Sequence, residues 1–230
     1  MLRQQAIDEV SADIAEVGTL MRALSGRYEG IFSNLHMALA ATLARSGSMA
    51  DAARDAAAIA DAAAAALHAS LPQQPVYACG SGCNACCHLY VKLPPGVAAA
   101  IAQDIETRFT SAERDALQGR LLAAAAATNA APNPAALRLR CPLLGDDDRC
   151  SVYQARPPSC RAFTSTSVAR CRQVVFDAGS PDIAVEQNPA HFRVYREATF
   201  ALEQAARARG LPDQQIGLAQ ALLDAMTPAG

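Results

Sequence analysis

All eight cysteines of this chain fall between Cys79 and Cys171, and the first 78 and last 59 residues hold none. Four crowd into the run Cys79-Gly-Ser-Gly-Cys83-Asn-Ala-Cys86-Cys87-His88, and Cys141, Cys150, Cys160 and Cys171 follow. Thiolates are soft, charged donors that hold zinc and iron tightly, and short loops of small residues let several of them converge on one centre. Gly80 and Gly82 suit such a loop, because glycine reaches positive φ values that let the chain fold back and turn consecutive sulfurs inward. A chain so organised is expected to fold around a metal site made from Cys79, Cys83, Cys86, Cys87, Cys141, Cys150, Cys160 and Cys171, with Cys79, Cys83 and Cys86 as its anchor.

Cysteines also serve as disulfides or as small buried apolar residues. Disulfide frameworks belong to exported chains, and the opening Met-Leu-Arg-Gln-Gln-Ala-Ile-Asp-Glu-Val carries acids early, with no apolar segment leading to a cleavage site. A reducing, cytoplasmic location is expected. Burial accounts for isolated cysteines; clustering speaks against it for most of the eight, leaving one or two that could belong to the core.

Composition narrows the fold to a mainly α architecture. The hydrophobic share of 51% is rich in alanine, aromatics make up 5%, and there is no Trp; alanine favours helix and buries little area per residue. A net charge of −2 with scattered basic residues lacks the electrostatic footprint of a nucleic-acid binder. No apolar stretch approaches the ~20 residues that cross a bilayer, since Asp55 and Asp61 interrupt the alanine run near residue 60. Neither nucleic acid nor membrane is an expected partner.

Residues 1–72 read as a helical hairpin or bundle of three helices. Ile7, Val10, Ile14, Val17, Leu20, Met21 and Leu24 recur every three or four positions, which predicts a helix with one buried face ended by Ser25-Gly26. A second helix is expected from about Tyr28 to Arg45 with Ile31, Phe32, Leu35, Leu39 and Leu43 inward. Ser48 is the expected N-cap of a third, Met49 to Leu67. This block is expected to support the cysteine region or to bind a protein partner.

Residues 75–175 are the predicted metal-binding domain, an irregular cysteine-rich core with a short β-hairpin. Leu89–Leu93 reads as a strand, followed by helices at 95–108 and 111–127, the latter capped by Ser111. Leu137–Leu144 and Arg149–Tyr153 flank the turn sequence Gly145-Asp-Asp-Asp148 and are expected to form a hairpin with a cysteine on each arm. Arg156 and Arg161 bracket Cys160, where they can stabilise thiolates by charge or hydrogen-bond loop carbonyls. Residues 189–228 are expected to be helical and to pack on the cluster region through Phe192, Tyr195, Phe200 and Leu202.

The combination of Cys79-x3-Cys83-x2-Cys86-Cys87, Cys141-Pro-Leu-Leu144, Cys150-Ser-Val-Tyr153 and Arg156-Pro-Pro-Ser-Cys160-Arg161 closely resembles the YkgJ-type cysteine-cluster family, the CxxCxxCC family of chelating domains. The resemblance spans about Tyr77 to Cys171 and leaves the N-terminal helices uncovered. It implies a bacterial, cytoplasmic metal-binding domain, similar in its cysteine cluster to flagellin lysine N-methylases.

Eight thiols can supply two four-cysteine zinc sites, or one iron–sulfur cluster with thiols to spare. Adjacent Cys86 and Cys87 are expected to point apart, one to the centre and one elsewhere. The dense run has one Cys-x2-Cys pair rather than two, which favours an iron–sulfur cluster over zinc. His88 is the non-thiol candidate; His36, His68 and His191 read as surface or packing residues. Three functions fit: a structural or regulatory metal-binding module, an S-adenosylmethionine-using enzyme that modifies protein side chains, such as a protein-lysine methyltransferase, or a metal carrier or redox sensor. Cys79-x3-Cys83-x2-Cys86 has the radical S-adenosylmethionine spacing. However, the ~200 residues of a strand–helix barrel exceed the 144 that follow Cys86, and no catalytic constellation stands out, so a non-enzymatic role is favoured.

Overall fold

In the computed structural model the described residues are 2–70, 75–80, 82–177 and 184–227, with side chains described from residue 10 onward. Helix α1 spans Leu2–Leu43 and α2 Met49–Ser70; after the cysteine run come β1 (Lys92–Leu93), α3 (Val97–Arg108) and α4 (Ser111–Ala130). The second half holds α5 (Pro158–Ala162), α6 (Val168–Phe176), α7 (Pro189–Ala208), β2 (Ile216–Gly217) and α8 (Leu218–Met226). The fold is mainly α.

Two helices, not three, precede the cysteines. α1 runs straight through Ser25-Gly26: without proline, a glycine inside a helix costs only about 1 kcal/mol, too little to force a break. The expected inward face of its first half is also turned out, with Val10, Ile14, Val17, Leu20 and Met21 all more than half exposed. From Phe32 onward the helix joins the core through Phe32, Leu35, Leu39 and Leu43, while Ile31 faces solvent.

Small residues make the core possible. Ala53, Ala56, Ala60 and Ala64 form a buried stripe along α2, which packs on α7 and α3. α7 answers with Val194, Ala198, Ala201 and Leu202. α8 lies on α3 and α4, and one continuous cluster joins Leu39 and Ala60 to Ile101, Leu121, Val152, Leu202 and Leu222. The core therefore runs through the N-terminal, cysteine-bearing and C-terminal segments together.

Caps and turns shift several boundaries. Thr110, not Ser111, caps α4, its side chain accepting from the Glu113 amide while the Glu113 carboxylate accepts from the Thr110 amide. The predicted strand at 89–93 contracts to Lys92–Leu93, paired antiparallel with the distant Ile216–Gly217. The expected hairpin at 137–153 contracts to a short antiparallel turn: Leu144 bridges Cys150, the Gly145 amide donates to the Arg149 carbonyl at 2.8 Å and the Ser151 amide to the Leu143 carbonyl at 2.9 Å. Helices α5 and α6, which periodicity does not reveal, occupy the stretch around Cys160 and Cys171.

Candidate metal centre

The cysteine run folds back as its glycines suggest. Gly82 adopts φ +86°, and the Cys83 amide donates to the Gly80 carbonyl at 3.0 Å. Ala85–His88 then forms a 3₁₀ turn. Because such a turn advances about 120° per residue, where an extended chain would alternate sides, Cys86 and Cys87 both reach one cavity. This corrects the expectation that the pair points apart.

That cavity, about 470 Å³, gathers Cys79, Cys83, Cys86 and Cys87 from the run, Cys141 and Cys150 from either side of the tight turn, and Cys160 from α5. α7 closes one wall with Phe192 and Tyr195. Of the other α7 residues expected there, Leu202 is buried in the core, and Phe200 is 44% exposed and packs on His36. Backbone bonds tie the walls together: Ala78 donates to the Ser165 carbonyl, and Cys141 to the Cys87 carbonyl, both at 2.8 Å.

All eight cysteines carry free thiols. The Ser165 amide donates to the Cys79 sulfur at 3.2 Å, and neighbouring backbone N–H groups lower the Cys141 and Cys150 thiols. Such N–H donors favour the thiolate, the form a metal requires. Burial works the other way. It pushes Cys141 up to about 11 and Cys160 up to about 12, and raises Cys79 and Cys150 as well. Cys86 rises mainly through its hydrogen bond with Cys87, with burial second. Charge repulsion sorts the sulfurs into two neighbourhoods, Cys79 feeling Cys83, Cys171 and Cys86, and Cys160 feeling Cys141, Cys86 and Cys150. Cys86 belongs to both.

Lys92, Arg149, Arg156 and Arg196 bring positive charge to the same cavity, which Asp148 also lines. Arg156 stacks over Tyr153 at 3.6 Å and donates to the Tyr153 carbonyl, and its charge lowers the Cys86, Cys150 and Cys160 thiols. Arg161 takes the structural role: it donates to the Arg156 and Gln154 carbonyls and pairs with Asp61 at 2.6 Å. A soft donor set, amides aimed at sulfur and nearby cations fit a metal or an anionic cluster. Among the described residues no three His, Cys, Asp or Glu side chains are grouped closely enough to hold a metal ion; seven thiols line a common cavity in an open arrangement.

Residues 78–184, just under half the chain, match the family model CxxCxxCC, described as "Putative zinc- or iron-chelating domain". This segment is a CxxCxxCC domain. No curated protein and no solved structure matches the chain.

Within the CxxCxxCC domain Cys171 lies off the cavity wall, though near enough to Cys79 to repel its charge. It is on α6, 4% exposed, in a small apolar cluster with Ala85 and Val175 behind the 3₁₀ turn. His88 is also off the wall, its Nδ1 facing the Asn84 carbonyl at 3.1 Å and its ring lying against Phe176. Sequence reading missed the polar group beneath the CxxCxxCC domain: His68 Nε2 lies 3.3 Å from His191 Nδ1, and Asp61 accepts from Tyr195 and Arg161. These residues come from α2, α5 and α7, so no local spacing could have paired them. No helix of the described residues is long and apolar enough to cross a membrane.

Proposed function

We propose that this chain is a non-catalytic metal-binding module that holds an iron–sulfur cluster, with Cys79, Cys83, Cys86, Cys87, Cys141, Cys150 and Cys160 as the pool from which ligands are drawn and Cys171 as a packing residue beside them. One observation carries the reading: seven thiols delivered by separate segments open on a single cavity that also presents four cations. Two closed zinc cages would need two separate tetrahedral sets. A polynuclear, thiolate-ligated centre carries net negative charge that cations and N–H donors stabilise. The family description of zinc or iron chelation supports metal binding and leaves both elements open. A cytoplasmic location, where thiols stay reduced, suits the role.

Anaerobic purification followed by elemental and sulfide analysis tests it. Iron with acid-labile sulfide and a visible absorption band is the expected result. Colourless protein with stoichiometric zinc would reassign the centre, and folded protein without either element, even after reconstitution, would end the metal reading.

A further inference from the structure

Among the described residues the N-terminal part of α1 up to Arg27 is a helix without a companion; Tyr28 and Glu29 meet Arg193 of α7. From residue 10 to residue 29 every described side chain apart from Gly18 is exposed, and the core begins only at Phe32. On this arm Val10, Ile14, Val17, Met21, Leu24, Tyr28 and Ile31 follow one another at alternating gaps of four and three, and each is at least 36% exposed. That 3.5-residue period differs from the wider stripe of a helix lying on a globular core; it keeps a narrow seam in line along the axis, the pattern of two helices that supercoil. The seam is about 32 Å long at 1.5 Å per residue, and water-exposed apolar surface of that extent marks an interface.

We propose that the occupant is a second copy of this chain, laid antiparallel along α1 about a two-fold axis near residue 19. In that alignment Val17 meets the partner's Met21, Ile14 meets the partner's Leu24, and Val10 meets the partner's Tyr28, so each layer sets a β-branched residue against one that is not branched at Cβ. A parallel pairing would stack Tyr28 on Tyr28 of the partner subunit, and Val10 on Val10 of the partner subunit. Charge selects the same orientation. Asp13 and Glu16 lie in the first half of the arm, Arg22 and Arg27 in the second; among the described residues none of the four has an ion-pair partner, whereas Glu29 at the arm's end is paired with Arg193 of α7. Antiparallel packing lays the acidic half over the partner's basic half and brings Asp13, beside the seam, to the partner's Arg27. A parallel dimer would lay acid on acid. Gly18 falls near the axis, where a missing side chain lets the two backbones approach. The contact is isologous and closes on itself, and it specifies the protein partner expected of the N-terminal helices without depending on the metal.

Sedimentation equilibrium of the full chain at micromolar concentration tests the proposal. The expected result is a dimer. Met21→Glu, which buries two carboxylates at the centre of the seam, raises the dissociation constant by at least about 100-fold and leaves helix content unchanged, because the arm lies off the core. Asp13→Arg and Arg27→Asp each weaken the dimer about 5-fold, and the double variant restores it. A monomeric wild-type chain overturns the proposal and leaves the seam to a different protein. A dimer indifferent to Met21→Glu overturns it too, and a double variant no tighter than the single ones rules out the antiparallel arrangement.

Discussion

The backbone amide of Ser165 donates a hydrogen bond to the sulfur of Cys79 across 86 residues of chain, at 3.2 Å. This bond, together with Ala78 donating to the Ser165 carbonyl, clamps the start of the cysteine run to the segment between α5 and α6. The run is thereby held by its surroundings before any ion binds.

Seven thiols line the cavity and Cys171 does not, and the roles proposed for them follow that division. Cys86 lies on the cavity wall within reach of both sulfur neighbourhoods, so Cys86→Ser is expected to abolish metal retention. Cys171 sits 4% exposed among apolar neighbours; Cys171→Ser is expected to keep its metal and lose about 1–3 kcal/mol of stability, since a hydroxyl there lacks a partner. Metal analysis and urea denaturation of the two variants measure both outcomes, and loss of metal from Cys171→Ser would make it a ligand.

Asp61 on α2 accepts from Arg161 Nη1 at 2.6 Å and from the Tyr195 hydroxyl at 2.8 Å, joining α2, α5 and α7 behind Cys160. Its removal leaves the nearly buried Arg161 side chain, 9% exposed, without its counter-charge. Because the Asp61 side chain is itself 45% exposed, the cost is that of charged hydrogen bonds and not of a fully buried pair. Asp61→Ala is expected to lower stability by about 2 kcal/mol and to loosen metal at Cys160, read as faster loss to a chelator.

Much of this architecture was legible because local chemistry announced it: the alanine-rich helices, the glycine fold-back at Gly82 and the gathering of thiols all follow from residue type and spacing. What escaped had non-local causes. Exposure of Val10 to Leu24 depends on whether another element of the chain packs against that face, which residue spacing does not state. The meeting of Cys86 and Cys87 depends on a 3₁₀ turn, and that of His68 and His191 on the packing of α2 against α7. Helices α5 and α6 are five and nine residues long, too short for periodicity to stand out.

Gly96 is fixed by a neighbour that sequence does not show. It precedes α3 at φ +82°, and a Cβ built there would lie 2.1 Å from the Met49 carbonyl oxygen at the start of α2. Since the obstacle is backbone, the two helices would have to separate. Gly96→Ala is expected to cost at least about 2 kcal/mol, seen as a lower urea midpoint, whereas Gly119→Ala, with nothing within 4 Å on exposed α4, is expected to stabilise by about 0.5–1 kcal/mol through helix propensity.

Alkaline pH should separate the metal-free from the loaded protein. In the metal-free fold, burial raises Cys141 to about 11 and Cys160 to about 12, against 9.0 for an unperturbed thiol. Between these values the folded chain holds protons that the unfolded chain has released, so stability falls as pH rises. The contribution is complete below pH 9.0 and is progressively lost toward pH 11–12. Loaded protein should behave oppositely: its ligands are already deprotonated, and protons compete with the metal, so its losses belong to acid pH. Melting temperatures at a series of pH values from neutral to 10.5 or so, with and without chelator, check the contrast; parallel alkaline arms in the two forms would show that Cys141 and Cys160 do not ligate.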